Sequence, residues 1–183
     1  MSQPSSTPLP PPLCVDLDDT LIHADVLFLG IKQLMLRKPW LLPWFLVWLC
    51  ISRAAAKAWL ARHTELDIPS LPYRHELINY LSQQKAIGRR LILVSAADER
   101  IVKHVAAHLG LFDAAYGSDG HTNLKGSAKA SFIKTHIIGP FVYAGDSFAD
   151  LRVWKHASGA ILCGPKAQQF KSILSIPIEA SFK

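Results

Sequence analysis

Short apolar runs that end in small, hydroxyl or acidic residues are the feature that most restricts how this chain folds. They occupy residues 12–17, 90–95, 140–146 and 159–163, with a shorter candidate at 112–116. Apolar runs of about four to eight residues bounded by turn signals are typical of buried strands. Helical patterns separate them at residues 99–109, 127–138 and 149–156. Asp98 and Gly110 fit the N-cap and the stop of the first helix.

Alternating strands and helices predict an α/β fold with a Rossmann-like, mainly parallel sheet. In such sheets, ligands bind beyond the carboxyl ends of the strands. Asp16, Asp18, Ser95 and Asp146 all lie at the carboxyl ends of predicted strands. We therefore expect their side chains to meet at one edge of the sheet.

Three segments are expected along the chain. Residues 1–11 are rich in proline and are predicted to be a disordered tail, without the basic start and unbroken apolar run of a secretory signal. Residues 12–21 and 71–183 form the core domain, and a helix at 71–85 returns the chain to it. Residues 22–70 are predicted to be a helical cap inserted after the first strand, with helices at 25–37 and 43–62.

Composition narrows the classes of function. Three cysteines without paired spacing argue against a disulfide scaffold or a zinc cluster, and they fit a reducing, cytoplasmic setting. A net charge of +6 would suit phosphorylated substrates, anionic lipid or nucleic acid. Nucleic acid ranks last and is not expected as a partner, because there is neither a dense run of Lys and Arg nor a nucleic-acid motif.

Two carboxylates two residues apart, Asp16 and Asp18, follow the first strand. One can attack phosphorus while the other handles protons; the alternative is a surface acidic turn. Asp146 and Asp150 lie four apart at a strand-to-helix junction, where carboxylates suit Mg²⁺, although either could be a helix cap.

Two further positions could contact phosphate. Ser95 lies before a helix start that suits a phosphate oxygen, or it is an ordinary cap. Lys125 could neutralise the nucleophile and the transferred phosphoryl group, or it is a solvated surface lysine. Lys129, one turn further on, competes for the same role.

Together these elements resemble the haloacid-dehalogenase superfamily of phosphatases. They follow the family's order: Asp-x-Asp-x-Thr at 16–20, a Ser at 95, a Lys at 125 and Gly-Asp-x-x-x-Asp at 145–150. Asp19 stands where the first motif most often has Gly, which leaves the catalytic pair unchanged.

The resemblance implies an aspartyl-phosphate mechanism. Asp16 would be the nucleophile and Asp18 the acid and base. Mg²⁺ would be held by Asp16, the Asp18 carbonyl and Asp146, with Asp150 as a further or outer ligand. Ser95 and Lys125 would hold the phosphoryl oxygens.

A closer resemblance involves residues 95–100, 118–120, 123–126 and 143–147. These stretches look like the haloacid-dehalogenase domain found fused to, or beside, UbiA-type membrane prenyltransferases. This chain lacks the multi-helix prenyltransferase part, so a stand-alone version with a functional link to such an enzyme is expected.

The cap contains an uncharged run at residues 40–51, in which Trp40, Trp44 and Trp48 recur every four residues. On one continuous helix they would share a face. Basic residues flank the run, which is too short to span a bilayer. The alternatives are packing within the cap, peripheral contact with the inner face of a membrane or with a lipid-linked substrate, and a protein interface.

The predicted function is a Mg²⁺-dependent phosphohydrolase acting on a phosphomonoester, either a phosphorylated small molecule or a lipid-linked phosphate. The alternatives are a non-catalytic or regulatory partner of a membrane prenyltransferase, and a phosphotransferase. The substrate and the oligomeric state stay open.

Overall fold

Six parallel strands form one sheet in the computed structural model, which describes residues 9–183. Their order is β3-β2-β1-β4-β5-β6. The strands are β1 Leu13–Val15, β2 Leu91–Asp98, β3 Ala114–Ser118, β4 Val142–Gly145, β5 Gly159–Cys163 and β6 Ile178–Phe182. The predicted α/β class with a parallel sheet is confirmed, and β1 lies between β2 and β4, where the chain order reverses.

Eight helices accompany the sheet across residues 9–183. They are α1 Val26–Arg37, α2 Leu42–Ile51, α3 Arg53–His63, α4 His75–Ala86, α5 Glu99–Leu109, α6 Ser127–His136, α7 Leu151–Trp154 and α8 Ala167–Ile173. Short single turns cover Pro39–Leu41 and Ile68–Ser70. The predicted tail falls mostly on residues 1–8, which lie outside the described part of the chain.

Alternate side chains of each central strand enter two different cores, as the pleat requires. On one face, Leu13 and Val15 pack with buried residues of α4 and α5, including Leu77 and Val102. On the other face, Cys14 packs in a core that includes residues of α6, α7 and α8. Helices therefore cover both faces, which explains why the central strands are uniformly apolar.

The three helices between β1 and α4 share a small core of their own, formed by Leu34, Phe45, Ala56 and Leu60. An antiparallel bridge between Ile22 and Tyr73 joins the two ends of this segment. The segment matches the expected position of the cap, whose boundaries at 22 and 70 stay a prediction.

The single helix predicted at residues 43–62 is wrong, because the chain breaks at Ser52. This residue is extended, with φ −162° and ψ 146°, and its side chain accepts a hydrogen bond from the Ala55 N–H. Ser52 is thus the N-cap of α3, a role that serine fills well. Consequently, α2 and α3 are separate helices.

Three tryptophans of this segment are exposed, at 67% for Trp40, 62% for Trp44 and 36% for Trp48. Within residues 9–183, no single helix is long and apolar enough to cross a membrane. Only the bent pair formed by Val26–Arg37 and Pro39–Ile51, with an angle of 119°, meets that test of length and composition.

Candidate active site

The loop after β1 presents Asp16 and Asp18 at the carboxyl end of the sheet. Asp16 accepts a hydrogen bond from the Leu17 N–H, at 2.8 Å from its Oδ1. Asp18 has an extended backbone, and its Oδ1 accepts from the Val26 N–H at the start of α1, at 2.9 Å. Asp19 has φ +53°, a left-handed conformation that Asp tolerates better than most residues. The turn thus aims two carboxyl groups into one space.

The buried side chain of Arg74 stabilises this turn by hydrogen bonds to its backbone carbonyls. Arg74 donates from Nε to the Thr20 carbonyl at 2.9 Å, and from Nη2 to the Asp19 carbonyl at 3.0 Å. It also donates from Nη1 to the Lys183 carbonyl. Because a buried guanidinium needs acceptors for its protons, these carbonyl contacts hold both partners in place.

The loop after β4 brings Asp146 and Asp150 towards Asp16. One oxygen from each of these three carboxyl groups lies within 4.8 Å of the others. The Thr20 hydroxyl donates to Asp146 Oδ1 at 3.2 Å, which ties the two loops together. An oxygen-only set of this kind fits a hard divalent cation such as Mg²⁺.

Burial and crowding favour the protonated forms of Asp18 and Asp146. Burial, followed by repulsion from Asp25, raises the pKa of Asp18 to about 7. Burial, followed by repulsion from Asp150, raises the pKa of Asp146 to about 7. In the absence of a cation, both carboxyl groups therefore resist ionisation.

Both oxygens of Asp150 already accept hydrogen bonds from the protein. Its Oδ2 accepts from the Ser147 hydroxyl at 2.7 Å and from the Ser147 N–H at 3.0 Å. Its Oδ1 accepts from the Tyr143 hydroxyl at 2.8 Å. Gly145 is required here, because a Cβ would lie 2.8 Å from Tyr143 Cε1 and 2.9 Å from Asp150 Cγ.

Lys129, on the first turn of α6, is the lysine in contact with the acids. Its Nζ lies 2.6 Å from Asp16 Oδ2 and 3.9 Å from Asp150 Oδ1, and it donates to the Tyr143 hydroxyl at 2.9 Å. Burial alone would lower the pKa of Lys129, but attraction to Asp16 and Asp150 outweighs it and raises the pKa. Lys129 is therefore a buried cation beside Asp16.

Lys125 and Ser95 occupy different positions from Lys129. Lys125 is exposed and lines the same cavity, and it is absent from the ion pairs found within residues 9–183. Ser95 is fully buried, and its Oγ accepts from the Ala97 N–H at 3.0 Å. It lies outside the set of described residues that line the cavity. That Ser95 and Lys125 hold phosphate therefore stays a prediction, and the contacts favour Lys129 for the role given to Lys125.

A cavity of about 300 Å³ opens above the acids. Its floor includes the four acids expected from the sequence, Asp16, Asp18, Asp146 and Asp150, together with Lys129. Its opposite wall is largely apolar and comes from the helices between β1 and α4. The wall includes Val26, Leu27, Phe45, Leu49, Leu60 and Ala61.

Sequence reasoning missed Tyr143 and Lys57. Tyr143 is a fully buried tyrosine within an otherwise aliphatic strand. Because a buried hydroxyl usually has a hydrogen-bond partner, a tyrosine at this position could have been predicted to bond to a polar group of the site. Lys57 reaches the cavity from α3, and no local pattern in the sequence marks it.

Comparison with protein-family models gives no match. Among curated proteins, the uncharacterized protein y4nM of Sinorhizobium fredii (strain NBRC 101917 / NGR234) is 38% identical over 158 residues. That alignment covers 84% of this chain but 30% of that protein, so the chain spans under a third of the relative's length.

Solved structures resemble most of the chain. A substrate-bound phosphoserine phosphatase has a TM-score of 0.60 and 17% identity, covering 93% of both chains. A phospho-aspartyl intermediate analogue of phosphoserine phosphatase gives the same TM-score and identity, covering 92% of this chain and 93% of that one. A haloacid-dehalogenase family hydrolase from Salmonella enterica serovar Typhi has a TM-score of 0.61 and 16% identity, covering 93% and 69%.

The chain has the haloacid-dehalogenase fold. Within this haloacid-dehalogenase fold, Asp16 follows the central strand β1, and Asp146 follows its neighbour β4. The similarity at these identities concerns the fold, so the chemistry of the site rests on the contacts of its own residues.

Proposed function

We propose that this protein is a phosphohydrolase that cleaves phosphomonoesters through a phosphorylated Asp16. The observation that carries the proposal is the position of Asp16 between Lys129, at 2.6 Å, and the Asp146 and Asp150 carboxyl groups. Asp18 lines the same cavity without belonging to that cluster. The two carboxyl groups of the first motif thus have different surroundings, which suits different roles.

In the first step, a carboxylate oxygen of Asp16 attacks phosphorus, and the bond from phosphorus to the ester oxygen breaks. Asp18 gives its proton to the departing oxygen. A pKa of about 7 supports this role, because a sizeable fraction of Asp18 then carries a proton near neutral pH. Lys129 offsets the negative charge at Asp16 and at the oxygens of the phosphoryl group.

In the second step, Asp18 takes a proton from water, and the water oxygen attacks phosphorus of the aspartyl-phosphate. The bond from phosphorus to Asp16 breaks, which releases inorganic phosphate and restores the carboxylate. A phosphotransferase would use another acceptor at this step, so the amount of inorganic phosphate released separates the two activities.

A divalent cation fits the oxygen-only donor set. Asp16 and Asp146 would hold it, together with the Asp18 carbonyl. Asp150, whose oxygens already accept hydrogen bonds, would be an outer or additional ligand. When bound, such a cation supplies charge stabilisation for phosphoryl transfer.

We further propose that the substrate is a lipid-linked phosphate and that the protein makes peripheral contact with a membrane. Two observations support it: the apolar wall of the cavity and the exposed apolar surface of α2. A helix that is apolar on all sides is usually buried in protein or lipid. In α2, however, Trp44 and Trp48 are exposed and Phe45 is the buried residue. A functional link to a UbiA-type prenyltransferase belongs to the same proposal and rests on the sequence resemblance.

Release of inorganic phosphate from p-nitrophenyl phosphate tests the core proposal. We expect turnover with Mg²⁺, loss of turnover in excess EDTA, and loss of at least a thousandfold in Asp16→Asn, because an amide is a poor nucleophile. Asp67→Asn is the matched control, since Asp67 is exposed and, among residues 9–183, its side chain accepts a hydrogen bond from Ser70 alone and does not line the cavity. Wild-type turnover by a folded Asp16→Asn protein would overturn the mechanism, and a wild type inert on a broad phosphate ester panel would favour the non-catalytic alternative.

A further inference from the structure

One face of α3 forms part of the cavity wall. Its lining residues recur every three or four positions, as they must on a single helical face. They are Arg53, Ala56, Lys57, Leu60 and Ala61, followed by Thr64 at the C-cap. The first half of this face is cationic and the second half is small or apolar, so α3 offers two chemically different surfaces to whatever occupies the cavity.

Lys57 is a half-buried ammonium group whose protein partners are neutral. Its Nζ donates to the Ala96 carbonyl at 2.7 Å and to Asn123 Oδ1 at 3.3 Å. An ammonium group has three protons, so one donor remains. Across residues 9–183, no carboxylate lies within 4.0 Å of Lys57. Burial lowers its pKa, while the more distant Asp18 and Asp25 act in the opposite direction.

Two more cations line the cavity near Lys57. Arg53 lies one turn earlier on the same face of α3, and Lys125 follows Asn123 by two residues. Neither forms an ion pair with any residue of the described part of the chain. Lys129 differs from these three, because it is already paired with Asp16. The cavity therefore has an ion-paired cation at its floor, whereas Lys57, Arg53 and Lys125 line it without a carboxylate within 4.0 Å in the described part of the chain.

Holding a partly desolvated cation without a counter-charge costs free energy unless a ligand supplies that charge. We infer that Lys57 and Arg53 form a second anion site, which binds a phosphate or carboxylate group on the leaving portion of the substrate. The inference rests on the proposed function and adds the substrate class: a phosphomonoester with a second negative group. The simpler role for Lys57 is to tie α3 to the Ala96 and Asn123 loops and to balance the charge of Asp18.

Paired substrates separate these roles. Phenyl phosphate and 4-carboxyphenyl phosphate differ by one carboxylate, and fructose 6-phosphate and fructose 1,6-bisphosphate differ by one phosphate. For each pair, the quantity measured is the ratio of kcat/KM for the more anionic probe to that for its partner. The carboxylate arm and the phosphate arm show which group the site accepts. The test variants are Lys57→Met and Arg53→Met, in which methionine replaces the cation with an uncharged chain of similar length. The control is Lys171→Met, on the exposed surface of α8.

We expect the wild-type ratio to be at least about tenfold in one arm. Lys57→Met and Arg53→Met should each reduce it by about fivefold or more, mainly through KM, whereas Lys171→Met should leave it unchanged. A wild-type ratio near one in both arms would overturn the inference. A Lys57→Met variant that lowers kcat/KM equally for both members of each pair would also overturn it. That result is expected if Lys57 only holds α3 against the Ala96 and Asn123 loops or balances the charge of Asp18. Hydrolysis of p-nitrophenyl phosphate but of none of the four probes would also overturn the inference. Inertness towards p-nitrophenyl phosphate as well as the four probes would count against the proposed function itself.

Discussion

Lys129 and Lys125 offer a direct comparison of a buried and an exposed lysine at the same cavity. Lys129 is 2% exposed and contacts Asp16, Asp150 and the Tyr143 hydroxyl, whereas Lys125 is solvent-exposed. In Lys129→Met, Asp16 loses its counter-charge. Loss of one preorganised charge-stabilising group costs roughly 3–4 kcal/mol of barrier, or about 10²–10³ in kcat. A surface lysine contributes about 0–1 kcal/mol, so Lys125→Met should lose less than about fivefold.

Stability must be measured beside activity, because removing one partner of a buried ion pair destabilises a protein by roughly 3–5 kcal/mol. Lys129→Gln retains an amide donor towards Asp16 and Tyr143 but removes the charge, so it should fold better than Lys129→Met and remain as slow. The assay is steady-state release of inorganic phosphate at saturating Mg²⁺, with thermal unfolding of each variant. A folded Lys129→Gln enzyme that is faster than Lys125→Met would refute the assignment and restore Lys125 to the role predicted from the sequence.

Three other predictions follow from the same contacts. Tyr143→Phe should lower kcat about tenfold with little change in KM, because Lys129 and Asp150 lose a shared hydroxyl while the ring stays packed; unchanged kcat would contradict this. Without a cation, the folded protein keeps a proton on Asp146 up to about pH 7, whereas the unfolded chain loses it near pH 4. The free energy of unfolding should therefore fall as the pH rises from about 4 to 7, by about 1.4 kcal/mol per pH unit for this one proton. Mg²⁺ should therefore raise Tm more at pH 7.5 than at pH 5, and Asp146→Asn should reduce that rise; an equal rise at both pH values would count against the cluster as the metal site. Finally, Trp44→Ser combined with Trp48→Ser should release the protein from anionic liposomes in flotation; a wild type that never floats at low salt would exclude membrane contact.

The sequence predicts the sheet and the gathering of the carboxylates for a simple geometric reason. Carboxyl ends of neighbouring parallel strands lie at one edge, so acids that follow β1 and β4 must come close. Helix α5 could also be predicted from the sequence, because the residues that begin and end it lie next to it in the chain. Asp98 accepts from the Arg100 N–H at 3.1 Å, and Gly110 ends the helix with φ +62°.

Other elements depend on contacts that are distant in the sequence. Strand β6 is an edge strand whose residues alternate between partly buried and exposed, so it lacks the continuous apolar run that marks the central strands. The break at Ser52 was hidden because apolar and helix-forming residues continue on both sides of it. A serine N-cap competes with helix continuation only where the surrounding packing favours the bend, and here α2 and α3 pack against each other.

The positions of the buried residues along α6 could have shown from the sequence that Lys129, and not Lys125, faces the core. Ala130 and Ile133 are buried on this helix, Ile137 is buried directly after it, and Lys129 is one turn before Ile133 on the same side. Lys125 precedes the helix and is not constrained by that phase. A lysine at a core-facing position is costly unless an acid meets it, so its position alone indicated a buried ion pair.

Helix α2 connects the cavity with the outer surface, and its spacing determines how the two can be tested separately. Phe45 and Leu49, four residues apart, line the cavity, while Trp44 and Trp48, also four apart, are exposed. Because residues four apart share a helical face, the wall and the tryptophan surface belong to neighbouring but different faces of one helix. Substitution of the tryptophans should therefore alter surface binding without reshaping the wall, whereas substitution of Phe45 would disturb both the wall and the small core with Leu34 and Leu60. Hydrolysis of a small soluble phosphate by the double tryptophan variant is the control that this geometry requires: retained turnover with lost flotation assigns the exposed face to the membrane, and loss of both shows that α2 has unfolded.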